Sequence, residues 1–238
     1  MNKRTQGFTL VELTISIMFL SILMLAILTL TITVGKLYIK GDTLKTVNQV
    51  GRDFSDVVRR DFLATGLNGS VPAAVTLNGG TATQPRESGR ICLGSAVAYL
   101  WNTADLLNDN SPAANAVKVT MGSPSQPVKF VRIVRPQYSY CAAGAPMHIA
   151  SSESATELFG GTERDYALYS VTFKPMAITA EKGLYEITYA LGTNEPGTTE
   201  IDSDGYVTCK PDNSILANFS SCSVSHFDMV VRVGGLEK

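Results

Sequence analysis

Apolar and polar positions divide this chain into three regions with different periods. From Leu13 to Val34 there are 22 consecutive residues without a charge, 16 of them apolar and the other six all Ser or Thr. At ~1.5 Å rise per residue, a helix of that length covers the ~30 Å hydrocarbon core of a bilayer. After Gly35 the pattern becomes amphipathic. Leu37, Leu44, Val47, Val50, Phe54, Val57, Val58 and Phe62 recur at intervals of three, four and seven, and Lys45, Asn48, Arg52, Asp53, Asp56, Arg59 and Arg60 take the remaining faces. This predicts that the same helix continues to a stop near Thr65-Gly66-Leu67-Asn68-Gly69, where Gly and Asn supply carboxyl-terminal stop signals. From Phe8 to Thr65 such a helix would be ~87 Å long. Asp56 and Arg60 are spaced for an i,i+4 ion pair.

The third region, from Leu67 to Lys238, has 172 residues, enough for a core of its own. Alternating or β-rich stretches are expected as strands at Arg90–Leu100, Val117–Met121, Val128–Val134, Tyr166–Phe173, Leu184–Leu191, Tyr206–Cys209 and Phe227–Val233. Turn-rich segments separate them at Asn78–Gly80, Asn108–Asn115, Ser151–Glu163 and Asn194–Gly197. No repeat and no second helix of comparable length is evident. The expected class is α+β, one long helix laid on a mainly antiparallel sheet.

Composition narrows the class further. With 45% hydrophobic and 17% charged residues, and 20 Lys+Arg against 21 Asp+Glu, the chain is too apolar for a disordered tail and not basic enough for a generic nucleic-acid binder. The uncharged run excludes a purely cytosolic protein.

Met1-Asn2-Lys3-Arg4 is a basic start, as in a secretory signal, but the apolar run exceeds the ~7–15 residues of such a signal and no Ala-x-Ala-like site follows. A plain single-pass anchor accounts for everything except Glu12, a lone carboxylate inside Phe8-Thr9-Leu10-Val11-Glu12-Leu13. An acidic group at the centre of a spanning helix costs ~2.5–3.5 kcal/mol on insertion scales. At the helix start Glu12 could snorkel to the head groups, where the helix dipole favours an anion. Alternatively, a cut after Gly7 would place a new ammonium group on Phe8, one helical turn from Glu12 and on the same face. The two charges could then pair within a chain, or between neighbouring chains offset by about a turn.

Lys3-Arg4-Thr5-Gln6-Gly7-Phe8-Thr9-Leu10-Val11-Glu12-Leu13 resembles the class III signal of the type IV prepilin family, including the pseudopilins of type II secretion. The family pattern is a short basic leader ending in Gly, then Phe or Met, three apolar or Thr residues, Glu, and a long apolar helix; every position is matched here. The resemblance implies that a prepilin peptidase cuts between Gly7 and Phe8, that Phe8 is N-methylated, and that Glu12 is the acidic assembly residue. It also implies a pilin-like fold: leader 1–7, helix 8–66 with a membrane or fibre-core half (8–35) and an amphipathic half (36–66), and a β-rich head over 67–238. The implied partners are other pilins or pseudopilins, the peptidase, an inner-membrane assembly platform, and the membrane itself before assembly. Lys3 and Arg4 on one side of the span face Lys36, Lys40 and Lys45 on the other, so charge asymmetry does not orient it. The leader resemblance and the cysteines place the amino terminus in the cytoplasm, with the head in a periplasmic or extracellular fibre. The stretch from Gln49 to Leu63 also resembles the helix end of larger minor pilins and J-type pseudopilins.

Gly35, Gly41 and Gly51 each cost the helix ~1 kcal/mol relative to Ala. They serve either close packing on the head or local melting during assembly, as the resemblance implies. Cys92, Cys141, Cys209 and Cys222 all follow the span, and an even count in an exported domain favours disulfides over reduced thiols. Four cysteines allow three pairings. The spacing of Cys209 and Cys222 resembles the family's disulfide-bounded terminal loop, which implies Cys209–Cys222 with Cys92–Cys141.

Catalytic chemistry is not visible. His148 and His226 are not at ligand spacing, and no nucleophile elbow, Walker loop or Cys-x-x-Cys occurs, so a non-enzyme without a cofactor is expected. Asp202-Ser203-Asp204-Gly205 opens like a calcium loop but lacks the downstream acidic ligand, and between Glu200-Ile201 and Tyr206-Val207 it also suits a hairpin turn. Lys129, Arg132 and Arg135 suggest a nucleic-acid stripe, but strand parity sends Arg132 to the opposite face, which disfavours a DNA-uptake pilin. The expectation is a minor pilin or pseudopilin, whose head bulk suggests a low-copy or tip role. The rivals are a DNA-binding competence pilin and a plain membrane-anchored binding domain.

Overall fold

The computed structural model describes residues 9–65, 74–78, 87–136, 140–141, 148–159, 165–176, 183–211 and 221–234. One helix, α1 (Leu10–Ala64), runs unbroken for 55 residues, roughly 82 Å at ~1.5 Å per residue. Thr9 caps it, its Oγ1 accepting from the Glu12 amide at 3.3 Å. At the other end Thr65 leaves the helical conformation, and its amide and hydroxyl both donate to the Asp61 carbonyl. The expected stop signals at Gly66, Asn68 and Gly69 lie outside the described residues.

The head begins with β1 (Ala74–Asn78), β2 (Ser88–Leu93), β3 (Val97–Asn102), two short helices α2 (Ala104–Asn108) and α3 (Pro112–Asn115), β4 (Thr120–Met121), β5 (Gln126–Pro127) and β6 (Phe130–Val134). It continues through β7 (His148–Ile149), β8 (Ala155–Glu157), β9 (Tyr166–Pro175), β10 (Leu184–Thr193), β11 (Thr199–Ile201), β12 (Val207–Cys209) and β13 (Val224–Arg232). Two antiparallel sheets carry the core, one in the order β1-β2-β3-β6-β8 and one in the order β13-β10-β9. The helix lies on β13 and β10. The result is α+β, one long amino-terminal helix packed on antiparallel sheets.

Three departures from the sequence-based expectation have local causes. Arg90–Leu100 is not one strand but the hairpin β2–β3, because Gly94 turns the chain with φ +57° and the Ala96 amide bonds back to Leu93. Val117–Met121 shrinks to Thr120–Met121. The Val119 carbonyl accepts from the Val128 amide at 3.1 Å, but its amide donates to the Asn102 side chain at 2.8 Å, and the Asn102 amide group donates to the same carbonyl at 2.8 Å. The stretches expected to be turns at Asn108–Asn115 and Ser151–Glu163 contain α3 and β8.

The core joins helix to head through aromatic rings. Phe54 meets Tyr189 at 4.7 Å, Phe130 at 4.9 Å and Phe159 at 5.3 Å between centroids, and Phe62 meets Tyr185 at 5.4 Å and Phe173 at 6.1 Å. Val47, Phe54, Val58 and Phe62 are buried, as the period predicts. Leu37 and Leu44 are not: they remain 56% and 36% exposed, Leu37 because it precedes Thr43, the first buried position, and Leu44 because, although level with the head, it turns ~100° away from Thr43. Gly51 is a close-packing site. A Cβ there would lie 2.1 Å from the Phe227 ring, which stacks on Tyr189 at 4.9 Å. A Cβ added at Gly35 or Gly41 would meet nothing within 4 Å among the described residues, so packing on the described part of this head does not account for them.

Candidate functional site

The amino-terminal half of α1 is long and apolar enough to cross a membrane, and every residue from Leu10 to Ile39 is exposed. The six Ser and Thr residues of its uncharged run, Leu13 to Val34, are satisfied inside the helix. Thr14, Ser16, Ser21, Thr29, Thr31 and Thr33 each donate to a carbonyl three or four residues earlier, at 2.7 to 3.0 Å. In an apolar surrounding, where an unpaired polar group costs several kcal/mol, this leaves no hydroxyl in need of an outside partner. Glu12 is the exception. It sits in the first turn, exposed, and among the described residues no side chain pairs with its carboxylate. Gly7 and Phe8, the expected processing pair, lie outside the described residues.

Where the helix meets the head, a charged cluster holds it. Asp61 is buried, and Arg132 on β6 grips its carboxylate with two hydrogen bonds, Nε to Oδ2 at 2.5 Å and a terminal guanidinium nitrogen to Oδ1 at 2.8 Å. The Tyr99 hydroxyl on β3 donates to the same Oδ2. Burial pushes the Asp61 carboxyl up, but the hydrogen bonds from Arg132 and Tyr99 and the charges of Arg132 and Arg60 outweigh it and leave the carboxyl below its ordinary value. Burial and the Asp61 bond raise the Tyr99 phenol far above its usual range, so it remains a donor. The sequence reading missed this cluster. The signal was available: Asp61 lies seven residues after Phe54 and three after Val58, on the apolar stripe, and β6 carries one cation on the parity opposite Lys129. The expected Asp56–Arg60 pair does not form. Among the described residues neither makes an ion pair, and the Arg60 charge acts on Asp61 instead.

No family model, curated protein or solved structure matches this chain.

The cysteines form two disulfides, Cys92–Cys141 and Cys209–Cys222, each with a Cα–Cα distance of 6.0 Å. The first ties β2 to the segment after β6. The second closes a loop of sequence separation 13 between β12 and the strand that packs on the helix. Lys40 of α1 donates to the Cys222 carbonyl, so the second disulfide also lies beside the point where the helix leaves the head.

Asp202 to Tyr206 forms the hairpin loop between β11 and β12. The Asp202 carboxylate accepts from the Asp204 and Tyr206 amides at 3.0 and 2.8 Å, so it braces the turn. Among the described residues no group of three or more His, Cys, Asp or Glu side chains is placed to hold a metal ion. A cleft of about 420 Å³ nearby is lined by Asp105, Asp109, Glu195 and Glu200 beside Tyr169. Two of these carboxylates serve the fold: Glu195 accepts from Ser221 at 2.7 Å and Asp109 from the Ser111 amide at 2.9 Å. His148 is exposed with Nδ1 3.1 Å from the Thr120 hydroxyl, and His226 contacts the Val207 carbonyl through Nε2 at 2.9 Å. The basic residues make no stripe. Lys129 pairs with Asp165, Arg132 with Asp61, and Arg135 lies past the end of β6 with φ +52°.

Proposed function

We propose that this chain is a minor pilin or pseudopilin: a non-enzymatic, single-pass inner-membrane precursor that is cut after Gly7, methylated on Phe8 and added to a type IV pilus-like fibre, where it acts in assembly or at the tip. The observation that carries the reading is one continuous rod whose first 30 residues are all exposed and whose remainder is the spine of a disulfide-bonded head. That shape needs an apolar surrounding for half its length. The leader from Lys3 to Glu12 names a route from lipid to fibre. In it, the new ammonium on Phe8 neutralises Glu12, the one side chain of the span without a partner among the described residues.

Two measurements test the proposal. Intact-mass analysis of the mature protein should show a chain beginning at a methylated Phe8. A Glu12→Gln chain, processed and present at normal levels, should enter the fibre far less than the parent. A chain retaining Met1 through Gly7, or a Glu12→Gln chain that incorporates as well as the parent, refutes it.

A further inference from the structure

The apolar span and the head are joined without a linker. Ile39 is exposed, Lys40 already donates to the Cys222 carbonyl, and Thr43 is buried. Leu13 to Val34 make ~33 Å of helix, which takes up the ~30 Å hydrocarbon layer of a bilayer, and the headgroups add ~5–8 Å on each side. With the span in lipid, the helix from Gly35 to Lys40 therefore runs through the headgroups, and the loops packed against it there lie at the same height.

A cavity of about 240 Å³ opens at that height. Ile39 and Thr43 of α1 form one wall, and Asp165 before β9, Asn194 and Glu195 after β10, and Ser221 before β13 form the other. Both carboxylates are held in place. Lys129 pairs with Asp165, the Asn194 amide group donates to Asp165 Oδ2 at 2.7 Å, and the Ser221 hydroxyl donates to Glu195 at 2.7 Å. A carboxylate has about four acceptor sites, and the Asp165 side chain is 56% exposed, so it still offers oxygen to a donor in the cavity.

Carboxylates alone would suit any cation; Lys36 makes the site more particular. It is exposed, and among the described residues it makes no ion pair. Standing three residues before Ile39 and seven before Thr43, it lies on the side of α1 that carries the cavity, ~4–5 Å nearer the hydrocarbon than Ile39. Outward from the hydrocarbon the order is thus apolar helix, cation, carboxylates. A phosphatidylethanolamine headgroup has the complementary order, with its phosphate next to the glycerol and a primary ammonium two carbons further out. A phosphatidylglycerol headgroup brings no cation to the carboxylates, and a choline headgroup brings a cation without an N–H to donate.

We propose that this cavity binds a phosphatidylethanolamine headgroup, its ammonium on Asp165 and Glu195 and its phosphate at Lys36. The inference rests on the membrane reading of the span and deepens it by naming the lipid held at the neck of the precursor. Exposed charge pairs are individually weak, so the site shows itself as discrimination among headgroups rather than as tight binding.

The test uses the full chain. It is floated with vesicles of phosphatidylethanolamine and phosphatidylglycerol, then moved to detergent micelles holding equal amounts of phosphatidylethanolamine, phosphatidylcholine and phosphatidylglycerol with the same acyl chains, and the lipids it retains are counted by native mass spectrometry. The phosphatidylethanolamine adduct should exceed each of the others several-fold. Lys36→Gln and, separately, Asp165→Asn/Glu195→Gln should each remove that excess. Lys45→Gln should leave it, because Lys45 stands nine residues from Lys36 and so on the opposite side of the helix. Lys36 is exposed on the helix, so its variant reads the site even where the head does not tolerate loss of its carboxylates. The site is overturned if the three adducts are equal, if phosphatidylglycerol dominates, if the choline lipid is retained as well as the ethanolamine one, if the excess survives Lys36→Gln, or if Lys45→Gln lowers it as much. A chain that does not float with the vesicles refutes the membrane reading itself, whereas one that floats and shows no preference refutes only the lipid site.

Discussion

Replacing Asp61 with Ala should be among the most damaging single changes outside the apolar core. The substitution removes an anion that is only 5% exposed and leaves Arg132, 22% exposed at its side chain, without its carboxylate. Breaking a buried pair by deleting one partner costs ~3–5 kcal/mol, and the partial exposure of Arg132 places this case toward the lower figure, about 3. The Tyr99 hydroxyl is orphaned as well, at a cost of about 1–3 kcal/mol. These losses share one carboxylate and do not simply add, so about 4 kcal/mol is the working value. Tyr99→Phe alone, which removes one donor and leaves the ion pair, should cost only about 1 kcal/mol. The assay is urea unfolding of the detergent-solubilised, oxidised chain followed by tryptophan fluorescence, since Trp101 lies two residues from Tyr99 on β3. Acid supplies an independent check. Because the folded carboxyl lies below its ordinary value, its stabilisation is complete above the unfolded value of pH ~4 and is lost as pH falls through the folded one. The parent should therefore lose stability below pH ~4, and Asp61→Ala should lose less over the same interval. A cost under about 1 kcal/mol for Asp61→Ala, or an unchanged acid slope, would refute the view that this cluster fastens the helix to the head.

Two further changes separate packing from connectivity. Gly51→Ala should destabilise by about 1–3 kcal/mol, because the new methyl group meets the Phe227 ring, whereas Gly41→Ala, with open space around it, should be neutral or raise stability by up to ~1 kcal/mol; thermal unfolding of the two variants should move in opposite directions. Replacing Cys209 and Cys222 together by Ser should cost about 3 kcal/mol, and limited proteolysis should then cut first between β12 and β13.

How much of this was legible in the chain depends on whether a feature is local. The helix was, since a 22-residue uncharged run and the Val47, Phe54, Val58, Phe62 stripe are periodic signals that need no partner. Its inner limit was not. Leu37 and Leu44 fit the stripe as well as Val47 does, and only the outline of the head decides which are covered: Leu37 lies above its first buried contact, and Leu44 lies beside it. Strand positions were readable where alternation ran without interruption, as in β9 and β10. They were misjudged where one residue intervened, Gly94 by turning the chain and Asn102 by taking the Val119 amide with its side chain. The Asp61–Arg132–Tyr99 cluster joins residues 38 and 71 positions apart, and each looked like an ordinary surface residue until its face was considered.

The inward-bonded hydroxyls of the apolar rod have a consequence for transport between phases. A helix that has already spent its side-chain donors on its own carbonyls offers the same hydrocarbon exterior to acyl chains and to sister helices. Leaving one for the other therefore breaks no polar contact along some thirty ångströms of length. The whole polar cost of that transfer is concentrated at a single carboxylate near one tip, so a cell need manage only one charge to move the entire rod.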